Sequence, residues 1–373
     1  MLCGTIGSTG QGLYHLGSYI FMSNKQVLLH SWACFFIHAC IEIICFAILS
    51  HTFGLNSYTK VMVYLAYDVV AFYPQFVSGL IHEKYPKLNI PSIAVAIMAL
   101  GLFVLEYDQM SARSIAAVIL MAVGNALLHD CCAIQTTLIS KGKLFPSALF
   151  VAGGSFGVVI GQALANVPFW GKSHLFVILF VMWGLLLLTN HAWLREDYEY
   201  PVFNIIKPQK KNTFAIVAFS AYFVTFVRSY IGYAIPISWK KSLWQAFLLF
   251  FIMGIGKALG GYLADRFGAK KVGVYSTLAC IPFLIFGENL MVVSIMGIFF
   301  FSMTMSITFG MFLSIIPKNP GVAFGLTTLA LGNGMMLPFV FGQFSNTVNM
   351  ILIVILSLLC SWILSRTLKE EHV

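Results

Sequence analysis

His38 and Glu42 stand four residues apart in a long apolar stretch, one helical turn and therefore on one face. Asn125 and His129 repeat that spacing further along, with Asp130 next to them, and Asp68 lies alone in another apolar stretch. Two cations are similarly isolated, Arg228 and Lys257. A charge held in hydrocarbon costs on the order of 3 kcal/mol on insertion scales, so such groups usually face a partner or a water-filled cavity. Carboxyl groups there can carry protons, because the protonated form is the one hydrocarbon tolerates. Glu42 and Asp68 are the expected carriers, with His38 and His129 placed to relay or tune the proton. Arg228, with Lys257, would attract a negatively charged substrate, and a guanidinium suits the two-pronged geometry of carboxylate or phosphonate. Asn125 and His129 add polar groups that a substrate could meet. Plainer readings stay open: either histidine as a satisfied interior ring, Asp68 as a partner to a neighbouring helix, and Lys257 as a side chain reaching back to the membrane surface.

Twelve apolar stretches near the ~20 residues that a spanning helix needs can hold these groups. They run over 28–50, 59–81, 90–106, 113–137, 145–168, 174–194, 212–236, 242–264, 272–287, 289–315, 320–345 and 349–366. Of the 373 residues, 59% are hydrophobic and only 9% charged, against roughly 25% charged in a soluble domain. That excludes a water-soluble enzyme or a nucleic-acid binder, despite a net charge of +9. With the N-terminus inside, fifteen basic residues fall on the inner side (among them Lys84, Lys141, Arg266 and Lys270) and five outside, Lys60, Arg113, Lys172, Lys240 and Lys241. The bias places both termini in the cytoplasm of a plasma (inner) membrane protein. Residues 1–27 would be a cytoplasmic segment without the apolar core of a signal peptide, and Met22 is a second candidate start. The polar stretch 195–211 would link two six-helix halves, 28–194 and 212–366, and 367–373 would be a cytoplasmic tail.

The halves share a motif. Gly79-Leu-Ile-His-Glu83-Lys84-Tyr85 aligns with Gly261-Tyr-Leu-Ala-Asp265-Arg266-Phe267, each at the inner end of its half's second span. Gly261 and Gly79 would let helices approach closely. Asp265 would accept hydrogen bonds from a neighbouring helix N-terminus, Gly268 would permit a tight turn, and Lys270 and Lys271 would face the anionic leaflet. Such a latch would hold one conformation and release in another. In the fifth span Gly153, Gly157 and Gly161 recur every four residues and read as a packing flank. The eight cysteines show no metal or redox spacing and read as small hydrophobes. No phosphate-binding loop or zinc motif is present, so neither a catalytic site, a metal nor a cofactor is expected, and any work would come from gradients.

The stretch from Gly261 to Lys271 resembles the loop signature of the major facilitator superfamily, G-x-L-A-D-R-x-G-R-K. Within that superfamily the chain is similar to the fosmidomycin-resistance-type branch over about 28–345. The points of likeness are His38-x-x-x-Glu42 for H-x-x-x-D, Glu83-Lys84-Tyr85-Pro86 for D-K-Y-P, His129 in the fourth span, and the basic-aromatic run Phe-Val-Arg228-Ser-Tyr230 in the seventh. Pro74 is displaced from the branch's Q-P-x-x-G, and Glu42 replaces an aspartate. The resemblance implies an all-α fold of twelve membrane helices in two pseudo-symmetric halves, working as a monomer by alternating access, with Tyr230 beside Arg228 at the substrate. The expected activity is proton-coupled export of small organic anions or amphipathic drugs. An importer or proton symporter of a nutrient anion has the same fold, and a non-transporting receptor or partner subunit is the reading from another class.

Overall fold

A computed structural model describes residues 22–51, 57–85, 87–106, 110–167, 170–189, 200–207, 213–342 and 344–370. Among them the chain is helical apart from turns and one isolated antiparallel bridge, Ile206 to Leu368. Helix is the expected answer for such composition, because in hydrocarbon each backbone N–H and C=O must be satisfied within its own segment.

The spans in order are Asn24–Ser50, Ser57–Phe72 with Gln75–Lys84, Ile90–Val104, Ala112–Ile139, Phe145–Leu164, Lys172–Leu188, Thr213–Ala234, Leu243–Phe267, Ala269–Phe286, Met291–Ser302 with Met305–Ile315, Pro320–Phe341 and Asn346–Thr367. Counting the two broken spans whole, ten are long and apolar enough to cross a membrane, and the third and sixth are shorter apolar helices. The expected boundaries shift for local reasons. The first helix starts at Asn24 rather than 28, because Ser23 and Gln26 form a reciprocal capping box; residues 24–27 thus belong to the helix, while residues 1–21 of the expected N-terminal segment lie outside the described residues. The second span breaks at Tyr73 and Pro74, and Gln75 donates its side-chain amide to the Ala71 carbonyl at the break. The tenth breaks at Met303 and Thr304. Spans eight and nine join through Gly268 alone, at φ +94°, a conformation that costs a glycine nothing.

Within each half the spans pack on their neighbours, and the halves meet along two seams: the fifth span against the eighth, and the second against the eleventh. Numbering each half from its own start makes these the same pair, fifth against second, taken in both directions. Glycines make the seams close. A Cβ on Gly79 would land on the Gly321 backbone, one on Gly325 on that of Phe76, and one on Gly261 on Ala148. The evenly spaced Gly153, Gly157 and Gly161 serve another contact: each faces a carbonyl of the first span, Phe35, Ala39 and Ile43 in turn.

Of the linker, residues 200–207 are described, and they are fastened down. Phe203 and Ile205 are buried, Ser314 donates to the Phe203 carbonyl at 2.7 Å, Lys207 N–H donates to Thr367 and Lys369 N–H to Ile205. Part of the expected tail is therefore docked against part of the expected linker, because their apolar residues find cover between the tenth and twelfth spans. Residues 190–199 and 208–212, and Pro86 of the branch motif, lie outside the described residues.

Candidate functional site

The first, second, fourth and fifth spans bring a polar cluster together in the N-terminal half. His38 Nε2 lies 2.7 Å from His129 Nε2, and Glu42 Oε1 is 3.3 Å from the second ring and 3.8 Å from the first. All three side chains are buried. Close backbone contact allows it: Gly154 faces the His38 ring, and a Cβ on Gly157 would press on Glu42. Asn125 donates its amide to Glu42 Oε1 at 3.3 Å and to the Tyr67 hydroxyl at 2.7 Å.

The hydrogen bonds determine what the imidazoles can do. His38 Nδ1 is 2.9 Å from the Phe150 carbonyl, and His129 Nδ1 is 2.9 Å from the Asn125 carbonyl. Carbonyls only accept, so both Nδ1 atoms carry hydrogen. A hydrogen bond between the two Nε2 atoms then needs one more proton between them. The Glu42 carboxyl lies beside this contact as the acidic neighbour of both rings. Three groups able to exchange protons thus meet in one buried place. The same three side chains converge closely enough to ligate a metal ion, but 2.7 Å between the nitrogens is a proton's separation. Two nitrogens bound to one zinc at about 2.0–2.1 Å must stand well over about 3 Å apart.

An aromatic layer joins this cluster to the other half. Phe324 of the eleventh span stacks on His129 at 6.5 Å between ring centroids and meets Phe150 of the fifth span at 5.8 Å; Phe309 of the tenth packs edge-on against it at 5.5 Å. Beyond it, at the face carrying the basic loops, the halves are latched. Asp265 accepts from the N–H groups of Leu144 at 2.7 Å and Phe145 at 2.8 Å, the first donors of the fifth helix, where the dipole favours an anion. The other copy sits likewise: with the Asn319 amide turned to suit its neighbours, its nitrogen donates to Glu83 at 2.9 Å, at the start of the eleventh helix. Lys270 pairs with Glu370 at 2.5 Å, while Arg266 and Lys84 lie over the rings of Phe267 and Tyr85. Replacing Asp265 with Asn removes charge-assisted bonds, each worth about 1.5–3 kcal/mol. Asp265→Asn should slow cycling by about tenfold or more while substrate affinity in detergent stays within about twofold of native; lost binding with native conformational exchange would overturn the latch.

The remaining expected residues are dispersed. Lys257 of the eighth span crosses the seam to donate to Ser155 Oγ of the fifth at 2.8 Å, within electrostatic reach of Glu42, His38 and Arg228. Asp68 lies in the field of Glu42, and its own field reaches Tyr233. Arg228 does not open on the seam: its pocket is lined by the seventh, ninth, tenth and twelfth spans, all of the C-terminal half. The expected pairing of Arg228 with Tyr230 on one substrate fails, because residues two apart point to different sides of a helix. Tyr230 instead donates to Asn349 Oδ1 at 3.4 Å and lines a cavity of about 170 Å³ with Tyr233, Asn346 and Pro338.

Sequence reasoning missed Ser155, Tyr67 and Phe324, and it missed a bridge between halves: Tyr73, at the break in the second span, donates to Asn333 Oδ1 at 2.5 Å, and the Asn333 amide donates to Tyr222 of the seventh span. The signals available were Pro74, which marks the break, and the lone Asn333 between two glycines.

No family model matches the chain. Over 261 residues, 64% of its length, it is 25% identical to the fosmidomycin resistance protein of Escherichia coli (strain K12), and it spans 64% of that protein. Among solved structures it resembles the human organic anion transporter MFSD10 (TETRAN), with a TM-score of 0.63 and 14% identity over 90% of this chain and 99% of that one. It also resembles a point variant of the E. coli fucose:proton symporter FucP, with a TM-score of 0.60 and 14% identity over 91% and 97%. A structure of FucP described as a major facilitator superfamily transporter in the outward conformation aligns with a TM-score of 0.55 over 88% and 98%, again at 14% identity.

Proposed function

We propose that this chain, a multi-pass membrane protein with the major facilitator fold, is a secondary transporter that exports small organic anions or amphipathic drugs in exchange for protons. The observation that carries the reading is the His38–His129–Glu42 cluster: a buried proton store in one half, roofed by an aromatic ring, Phe324, that belongs to the other. Rocking the halves apart at the latched face must lift Phe324 from His129 and change what the stored proton meets. Proton occupancy and conformation are then linked, as alternating access requires.

Lys257 is the cation placed to meet an anionic substrate, since it lies on the seam and can exchange Ser155 for a carboxylate or phosphonate. Asp68, in the field of Glu42, is the second proton carrier. Export is supported by the name of the resistance protein that the chain resembles, and an anionic substrate by that of the human structural neighbour. The excess of Lys and Arg on the basic loops supports a cytoplasmic side for the latched face and both termini of a plasma-membrane protein. One observation favours the opposite coupling: a proton on Glu42 removes a negative charge near Lys257, which strengthens anion binding there and suits symport.

Everted vesicles with an acid lumen separate the two. Adding a substrate from a panel of phosphonates and aromatic carboxylates should alkalinise the lumen as protons leave in exchange. Acidification would mark symport, and no response across the panel would remove organic anions as the substrate class.

A further inference from the structure

Arg228 is a half-buried cation, enclosed at Nε and Nη1, that the transport reading leaves unused. Neither nitrogen has a hydrogen-bond partner among the described residues, and the guanidinium lies over the Phe301 ring at 5.0 Å. No carboxylate lines its pocket. The other polar groups there are Thr277, Ser357, Thr304 and the thiols of Cys280 and Cys360. Thr277 is spent on the Gly273 carbonyl at 2.7 Å, but the Thr304 hydroxyl is buried and unpartnered like the guanidinium nitrogens.

Thr304 also occupies a particular place. It is the N-cap of Met305–Ile315, the second piece of the broken tenth span, and makes no capping bond. The break therefore puts the positive end of a helix dipole at the edge of a pocket that already holds a guanidinium. A broken membrane helix that turns a half-helix N-terminus inward is a recurring way to hold an anion. Enclosed donors without a partner are costly. Two guanidinium nitrogens and the Thr304 hydroxyl line this one pocket without a partner among the described residues.

We propose that this pocket binds one chloride-sized inorganic anion, held by Arg228 and Thr304 at the start of the second half-helix. Size selects the class. The pocket offers about 10 Å³ to the centre of a water-sized particle, which is room for one such particle. A lone water would leave the positive charge uncompensated, whereas a small anion would balance it. The bound anion neutralises the C-terminal half and fixes the break in the tenth span, two residues before Ser306 and on the same piece as Phe309 of the aromatic layer.

The test is thermal unfolding of the purified full chain in detergent, in sodium chloride, bromide and gluconate at equal ionic strength. Chloride and bromide should raise Tm saturably by roughly 2–4 °C over gluconate, and equilibrium dialysis with labelled chloride should give one site per chain. Thr304→Val, which keeps the shape and removes the hydroxyl, should weaken chloride binding severalfold, and Arg228→Gln should abolish it. Should Arg228→Gln fail to fold, Thr304→Val decides. Equal Tm in chloride and gluconate, no labelled chloride bound, or native chloride affinity in Thr304→Val would overturn the proposal. The readout is binding without transport, so it stands or falls apart from the export reading.

Discussion

Glu42→Gln should bind and exchange substrate but lose the ability to concentrate it. The Glu42 carboxyl lies 3.8 and 3.3 Å from the His38 and His129 rings, and Asn125 donates to it. Glutamine keeps the shape and can still accept from Asn125, so packing should survive. What it cannot do is take up a negative charge or release a proton of its own. With a pH difference of about two units, one-for-one exchange supports roughly 100-fold accumulation, since each pH unit is worth a factor of about ten. In proteoliposomes the variant should equilibrate substrate and stop near a ratio of one, while counterflow persists. His129→Asn should behave alike, because it removes the partner ring. If Glu42→Gln still accumulates substrate to the native ratio, the cluster is not the coupling site, and Asp68 becomes the leading carrier.

A second large effect is expected at a residue without a side chain. Gly79 lies against the backbone of Gly321, with Val322 N 2.7 Å from where a Cβ would stand. Backbone cannot step aside as a flexible side chain can, so Gly79→Val should prevent the second and eleventh spans from closing. Overpacking of this kind costs about 1–3 kcal/mol, and about 3 kcal/mol is roughly a hundredfold shift in an equilibrium. The substitution should therefore leave a folded protein in the membrane, held open at the basic face, with turnover reduced up to about 100-fold. Spin labels at Lys87 and Lys271 would report the opening as a longer distance. Native turnover with an unchanged distance would show that this seam does not close during transport. The opposing Gly321→Ala should give the same phenotype, because its Cβ would meet the Gly79 Cα at 2.8 Å.

Much of the architecture was legible from residue order alone, because the demands are local. A span must be apolar for its whole length, a basic loop must stay on its side, and a glycine every four residues makes a flank whatever lies opposite. Positions and number of spans, the repeated motif after the second span of each half, and the helical pairing of His38 with Glu42 and Asn125 with His129 follow from spacing of four residues or fewer and from hydrocarbon's intolerance of unpaired backbone. Tertiary structure alone decided which turns meet. His38 and His129 are 91 residues apart in sequence, and their rings meet at 2.7 Å where the first span packs between the fourth and the Gly154 face of the fifth. Lys257 finds Ser155 across 102 residues, and Arg228, expected beside it, turns instead into the C-terminal half. A lone charge in an apolar run announces that it needs a partner, since burial without one is costly. Its direction depends on helix rotation and on breaks such as those at Pro74 and Thr304, which are set by packing between distant segments.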